Sequence, residues 1–102
     1  MILFVYGTLK DEQTASQFLD RVPEMRYAEL EDYRTAGLNI VKDSNHRVLG
    51  VKFEVSESEM LELDKYEGVS HNLYKRINVK LKDGTEAVAY QKCDPETVIN
   101  FE

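Results

Sequence analysis

Two carboxylates fall on what the sequence predicts to be the buried face of a helix, and one of them is suited to proton transfer. The segment 57–67 has helical apolar spacing, with Met60 and Leu63 on one face. At about 100° per residue, Glu67 lies between these apolar positions and Asp64 lies beside them. Loss of water and the negative end of the helix dipole would both raise the pKa of Glu67. A carboxylate of this kind suits general acid–base catalysis near neutral pH.

Each carboxylate also has a purely structural interpretation. The last helical turn could fray at Gly68, which would let Glu67 lean into water. A short inward carboxylate such as Asp64 often accepts hydrogen bonds from a neighbouring loop. The helix alone therefore leaves the role of Glu67 open and favours a structural role for Asp64.

A second candidate is the loop Tyr6-Gly7-Thr8-Leu9, which follows an apolar segment. At the end of a strand, glycine lets a ligand approach the backbone, and successive amide N–H groups can converge on an anion. Thr8 adds a hydroxyl group and Lys10 adds a positive charge. A strand followed by a glycine turn is common in proteins, so this loop alone does not establish a site.

The elements that position these residues follow from the hydrophobic pattern. Residues 1–6 form a continuous apolar run, which predicts a buried strand, and helical spacing predicts a helix over 11–21. Weaker strand signals cover 26–33 and 36–41. The polar segment 43–46 is predicted to be a turn.

The second half of the chain has clearer signals. Ser56 and Glu59 have the spacing of a capping box, which predicts the start of a helix. The pattern predicts a strand over 49–55, that helix over 57–67, and a hairpin with strands near 77–81 and 87–91. Two helices and mostly antiparallel strands predict an α+β fold, with a small β-barrel-like sheet flanked by helices. Because no linker or repeat interrupts the pattern, residues 1–102 are predicted to form a single domain.

Three short motifs occur in the same order as in a known enzyme family. They read Tyr6-Gly7-Thr8-Leu9, then Leu63-Asp64-Lys65-Tyr66-Glu67-Gly68, then Tyr74-Lys75-Arg76. They resemble the Tyr-Gly-(Ser/Thr)-Leu loop, the Leu-Asp-x-(Tyr/Phe)-Glu-Gly segment and the Tyr-x-Arg of the γ-glutamylcyclotransferase-like family. The resemblance extends over nearly the whole chain.

This resemblance implies an enzyme of the transferase or lyase type that cyclises a γ-glutamyl amine or γ-glutamyl amino acid to 5-oxoproline and releases the amine. It implies that Glu67 is the catalytic acid/base, that the loop from Tyr6 to Leu9 holds the γ-glutamyl group, and that Tyr74 lies near the pocket. Because the substrate's own α-amine is the nucleophile, the reaction implies neither a metal nor a cofactor. The expected partner is a small γ-glutamyl molecule.

Two segments depart from the family pattern. Lys10-Asp11-Glu12 replaces a segment that often contains glycine, and Gly37-Leu38-Asn39 lacks a proline that members often have. Both segments shape the pocket in the family. They leave open two alternatives on the same fold, a binding module without turnover for a small ligand or a protein, and a different amide-bond lyase or transferase.

Composition and isolated residues exclude several other classes. A formal net charge of −6 at pH 7 argues against nucleic-acid binding, and no apolar run is long enough to span a membrane. The single cysteine, Cys93, cannot form an internal disulfide, which suits a reducing cytoplasm. His46 and His71 lack ligand spacing and are expected at the surface, so no metal site is predicted. Arg76 is expected to pair with a surface acid.

Overall fold

A computed structural model describes residues 1–93 and folds them into one five-stranded sheet with two α-helices packed against it. The strands are β1 (Ile2–Val5), β2 (Arg26–Ala36), β3 (Asn39–Glu54), β4 (Tyr74–Lys80) and β5 (Glu86–Lys92). The helices are α1 (Glu12–Leu19) and α2 (Glu57–Glu67), and short 3-10 helices occupy Thr8–Lys10 and Val69–His71. No helix within these residues is both long enough and apolar enough to cross a membrane.

The strand order is β2-β3-β1-β5-β4, and every neighbouring pair is antiparallel except β1 with β5. The predicted α+β class and mostly antiparallel pairing are therefore confirmed. The barrel-like description is too strong, because the sheet is open and has β2 and β4 at its edges. Near these edges, the N–H of Lys82 donates to the carbonyl of Glu29 at 2.9 Å, which brings the β4–β5 turn against β2.

The central strand β1 is buried on both faces, which explains its uninterrupted apolar sequence. Leu3 and Val5 pack with α1 and α2 in one core cluster, whereas Phe4 packs in a second cluster formed by strands. Gly50 on β3 permits this close pairing, because a Cβ there would lie 2.3 Å from the carbonyl oxygen of Val5. The predicted first strand is confirmed and lies in the middle of the molecule.

The helix α2 is confirmed at both ends. Ser56 and Glu59 form the reciprocal capping box at its start. At its end Gly68 adopts the left-handed conformation with φ of 69°, and a Cβ there would lie 2.6 Å from Leu73. These local signals fix the position of Glu67 as the last residue of the helix.

Other boundaries differ from the prediction. Helix α1 begins at Glu12, after the N-cap Asp11, and ends at Leu19 because Asp20 adopts a left-handed conformation with φ of 56°. The predicted turn over 43–46 is wrong, since these residues belong to β3. They lie at a register shift, where Glu31 pairs with Arg47 but Tyr33 pairs with Lys42.

The chain instead reverses at Gly37 and Leu38, between the paired residues Ala36 and Asn39. The weak strand signals over 26–33 and 36–41 thus belong to one long hairpin, which has its tip at residues 37–38. The predicted β4–β5 hairpin is confirmed, and β4 begins earlier than predicted, at Tyr74.

Candidate active site

A cleft of about 420 Å³ lies where the loop after β1 meets the end of α2. Its floor is buried and consists of Phe4, Val5, Leu9 and Tyr90. Three half-buried side chains surround the floor, namely Tyr6, Glu67 and Tyr74. The exposed rim consists of Gly7, Thr8, Thr35, Gly37, Leu38 and Tyr66. This volume is typical of a site for a small molecule.

All six residues predicted from the sequence line this cleft, namely Tyr6, Gly7, Thr8, Leu9, Glu67 and Tyr74. They come from three separate segments of the chain. The loop from Tyr6 to Leu9 follows the central strand, Glu67 ends α2, and Tyr74 begins β4. The sequence motifs therefore correspond to one place in the fold.

Glu67 faces the cleft and does not lean into water. The helix extends to Glu67, and the N–H of Gly68 donates to the carbonyls of both Asp64 and Lys65. Burial raises the pKa of the Glu67 carboxyl, and no cation within residues 1–93 offsets that effect. Among the cleft-lining residues that the structure describes, Glu67 is the one with a formal charge. The alternative in which the last helical turn frays is wrong.

The loop after β1 folds into a 3-10 helix over Thr8–Lys10. The N–H of Lys10 donates to the carbonyl of Gly7 at 3.0 Å, and that of Asp11 donates to Thr8 at 3.1 Å. The N–H groups of Thr8 and Leu9 precede these bonds and have no partner inside the helix. A side chain at Gly7 would meet open space, so the backbone of this loop is accessible from the cleft. Lys10 does not line the cleft.

Two of the half-buried tyrosines are fixed by hydrogen bonds across the cleft. The hydroxyl of Tyr6 donates to the carbonyl of Tyr90, and the hydroxyl of Tyr74 donates to the carbonyl of Leu38 at 2.6 Å. Burial is the largest cause of the raised pKa of each phenol, and the charge of Glu67 contributes to both shifts. Both phenols therefore remain protonated at neutral pH and act as hydrogen-bond donors, not as bases.

Asp64 lies one helical turn before Glu67 and has a different environment. Arg76 donates to both of its carboxylate oxygens, at 2.6 and 3.0 Å, and the hydroxyl of Tyr90 donates to it at 2.6 Å. Burial alone would raise the pKa of Asp64, but the hydrogen bonds from Arg76 and Tyr90 outweigh burial and lower it. The prediction that a loop binds this carboxylate is wrong, because both partners lie in strands.

Arg76 pairs with acids, as predicted, and connects β4 to two different turns of α2. One partner is exposed, Glu57 in the first helical turn at 3.1 Å, and the other is the inward Asp64. This contact joins β4 to the face of α2 that carries Asp64 and, one turn later, Glu67. Arg76 itself does not line the cleft.

The tip of the β2–β3 hairpin forms one rim of the cleft, as the family resemblance implied for the segment Gly37-Leu38-Asn39, although none of its residues was predicted to be a site residue. Three hydrogen bonds hold the tip. The hydroxyl of Tyr74 donates to the carbonyl of Leu38, and the side chain of Gln91 donates to the carbonyl of Ile40 at 3.1 Å. The side chain of Asn39 accepts from the N–H of Lys92 at 2.7 Å. No local pattern in the sequence indicates these long-range contacts. Tyr66 was also missed, although it lies beside Glu67 in the second motif.

The remaining candidate residues lie outside the cleft. His46 is exposed and lies 3.2 Å from Asp43 on β3, His71 is also exposed, and Cys93 is partly buried. Within residues 1–93 no three His, Cys, Asp or Glu side chains are arranged to hold a metal ion. None of these residues contributes to the cleft.

The chain is similar to known proteins in its sequence and in its fold. The sequence matches the family model for gamma-glutamyl cyclotransferase, AIG2-like proteins over residues 3–98. The fold is similar to a solved gamma-glutamyl cyclotransferase, with a TM-score of 0.79 and 20% identity, over 92% of this chain and 67% of that one. No curated protein sequence matches the chain significantly.

Two solution structures of Arabidopsis thaliana proteins are also similar. One has a TM-score of 0.75 and 27% identity, over 95% of this chain and 66% of that one. The other has a TM-score of 0.74 and 28% identity, over 93% of this chain and 72% of that one. The chain thus spans about two thirds of the length of these solved proteins.

The structural similarities establish the fold, and the family model covers all the segments that form the cleft. Membership of such a family supports a cyclotransferase-type function in general. Because the match extends over nearly the whole sequence, this chain belongs to the gamma-glutamyl cyclotransferase, AIG2-like family.

Proposed function

We propose that this chain is an enzyme that cyclises a γ-glutamyl amine or γ-glutamyl amino acid to 5-oxoproline, with Glu67 as general acid/base. The observation that carries the proposal is the environment of Glu67, a half-buried carboxylate with a raised pKa in a cleft whose other described lining residues are uncharged. Buried carboxylates with a structural role are normally paired, as Asp64 is. An unpaired one in a cleft is typical of a proton-transfer residue.

The proposed reaction uses the substrate's own α-amine as the nucleophile. The Glu67 carboxylate takes a proton from the α-ammonium group, and the freed nitrogen attacks the γ-carbonyl carbon to close a five-membered ring. Glu67 then returns this proton to the leaving nitrogen as its bond to that carbon breaks. The ring nitrogen releases its second proton to solvent, which leaves the neutral lactam, and the freed amine takes up a proton from solvent. Proton transfer of this kind contributes about 10²–10⁴-fold in rate.

In this mechanism the loop and the cleft supply binding and orientation. The N–H groups of residues 7–9 bind the anionic groups of the substrate, and a donor aimed at the developing oxyanion is worth about 3–4 kcal/mol. Binding in the cleft would hold the γ-glutamyl group in the bent conformation in which amine and carbonyl carbon are close. Tyr6 and Tyr74 line the same cleft with neutral hydroxyl groups.

Release of 5-oxoproline from a panel of γ-glutamyl amines and amino acids tests the proposal. Glu67→Gln is expected to lower kcat/KM by about 10²-fold or more, because the amide cannot accept the ammonium proton. Glu62→Gln is the matched control, since Glu62 lies on the same helix but is exposed and pairs with Lys65. The control is expected to stay within about twofold of the wild-type rate. Absence of product with the wild type, or equal rates for Glu67→Gln and wild type, would contradict the proposal.

A binding module without turnover is the alternative that a specific observation favours. Gly37 and Leu38, in one of the two segments that depart from the family pattern, line the cleft. A γ-glutamyl compound that raises the melting temperature but is recovered chemically unchanged would support this alternative. Identification of the products by mass spectrometry would distinguish cyclisation from any other cleavage of the amide bond.

A further inference from the structure

We infer that the leaving group accepted by this cleft is an apolar amine without a carboxylate, and that Leu38 at the tip of the β2–β3 hairpin determines this preference. The inference rests on the proposed function and names the substrate class within it. It follows from the position of the hairpin tip, the charge of the cleft and the apolar character of the rim.

The hairpin tip lies where the leaving group must extend. If the loop at residues 7–9 and Glu67 hold the γ-glutamyl group, the rest of the substrate leaves the cleft along the other rim, formed by Thr35, Gly37 and Leu38. The backbone of this rim is fixed, because Tyr74 donates to the carbonyl of Leu38 at 2.6 Å. The Leu38 residue itself is 75% exposed, so its side chain is available to a ligand.

The charge of the cleft opposes a second carboxylate. No Lys, Arg or His is among its described lining residues, and residues 94–102 contain none of these in their sequence. The hydroxyls of Tyr6 and Tyr74 already donate to backbone carbonyls. A carboxylate on the leaving group would therefore lose water beside Glu67 without gaining a cation, and like charges this close repel.

The rim also offers apolar surface to an uncharged substituent. Leu38 is exposed on one side of the mouth, and Tyr66 is 46% exposed on the other. The ring of Tyr66 is held against Phe18, with ring centroids 4.4 Å apart. An alkyl or aryl amine that extends between these side chains would shield them from water.

A matched pair of substrates isolates the carboxylate. The compounds γ-glutamyl-3-methylbutylamine and γ-glutamyl-leucine differ only in the carboxylate of the leaving group. The amine compound is expected to give kcat/KM at least about 10-fold higher, measured as 5-oxoproline release. Equal values, or a higher value for γ-glutamyl-leucine, would overturn the inference.

Substitution of Leu38 tests its role. Leu38→Arg places a cation at the rim and is expected to raise kcat/KM for γ-glutamyl-leucine several-fold while it lowers that for the amine compound. Leu38→Gln is polar without charge and is expected to lower the value for the amine compound without raising that for γ-glutamyl-leucine. An equal gain on γ-glutamyl-leucine from both variants, or from neither, would overturn the assignment of Leu38.

A failure of the proposed function would give a different result from a failure of this inference. If neither compound yields 5-oxoproline, turnover is absent, and the preference is then measured as a ratio of dissociation constants by titration calorimetry. Binding of γ-glutamyl-3-methylbutylamine at least about 10-fold tighter would support the inference, and equal binding would overturn it.

Discussion

Asp64 and Glu67 lie one helical turn apart, and their surroundings give them opposite properties. Arg76 and Tyr90 keep Asp64 ionised, whereas burial without a cation raises the pKa of Glu67. Carboxylates whose pKa values are separated in this way often have different roles in one site. The helical pattern predicted that both face inward. It could not predict which of the two carboxylates pairs with a cation, because Arg76 reaches Asp64 only through tertiary packing.

The raised pKa of Glu67 predicts the pH dependence of activity. The carboxylate must be ionised to accept a proton, so kcat/KM is expected to fall as pH decreases through its pKa. This limb should lie above the ordinary glutamate value of 4.5. Rates of 5-oxoproline release over about pH 4–9 would measure it. Glu62→Gln should leave the limb in place, and a limb at or below 4.5 in the wild type would contradict the prediction.

The raised pKa of Glu67 also predicts how its ionisation affects stability. Ionisation is required for activity but is expected to lower the stability of the folded state. Because the folded state favours the protonated form, the contribution of Glu67 to stability is fully present below the unfolded pKa and is lost as pH rises through the folded pKa. Glu67→Gln mimics the protonated form. It is expected to raise the melting temperature by about 2–5 °C at pH 8, with the difference vanishing near pH 4. A lower melting temperature than wild type at pH 8 would contradict this account.

At the scale of elements, Arg76 joins β4 to α2 through its ion pairs with Glu57 and Asp64. Arg76→Gln would leave the inward Asp64 carboxylate without a cation, which is expected to lower the free energy of unfolding by about 2 kcal/mol. It should also lower kcat, because α2 then positions Glu67 less well. Urea denaturation and 5-oxoproline release measure the two effects, and Arg76→Lys should restore part of each.

Arg26→Gln provides the matched control for this prediction. Arg26 pairs with Glu24, but the two side chains are 70% and 82% exposed. Loss of such an exposed pair is expected to change the free energy of unfolding by less than about 0.5 kcal/mol. Equal costs for the Arg76 and Arg26 variants would show that the contact with α2 contributes no more than a surface ion pair.

The elements predicted correctly are those whose limits are set by local chemistry. The capping box at Ser56 and the glycine at residue 68 define α2 in its own sequence. The polar segment 43–46 has the composition of a turn, yet it lies inside β3 at a register shift, because Lys42 before it and Arg47 after it both pair with β2. Long-range contacts also explain why no local pattern predicted how the rim is held, since residues from β4 and β5 bind the hairpin tip.

At the scale of the whole molecule, β1 joins the two core clusters. Phe4 belongs to the cluster formed by strands, and its neighbours Leu3 and Val5 belong to the cluster that contains the helices. A substitution that destabilises the core on one face of the sheet should therefore also destabilise the core on the other face. This arrangement supports the prediction that the chain is a single domain.

Phe4→Leu tests this coupling between the clusters. The smaller side chain is expected to lower the free energy of unfolding by about 1–3 kcal/mol while a single transition is retained. Helical circular dichroism reports on α1 and α2, and the fluorescence of the six tyrosines reports mainly on the sheet. Coincident urea transitions from the two signals are expected, and two separate midpoints would contradict a single cooperative unit.

The hydrogen bond from Tyr6 to Tyr90 joins residues that are 84 positions apart. During ribosomal synthesis Tyr6 and the loop after it emerge early, but the floor residue Tyr90 and its strand β5 emerge after all the other strands. Until then one edge of β1 has no partner, and the hairpin tip lacks Gln91 and Lys92 to hold it. A nascent chain that lacks β5 would therefore expose Glu67 without the floor of the cleft, and we expect it to bind a γ-glutamyl compound only after β5 has emerged.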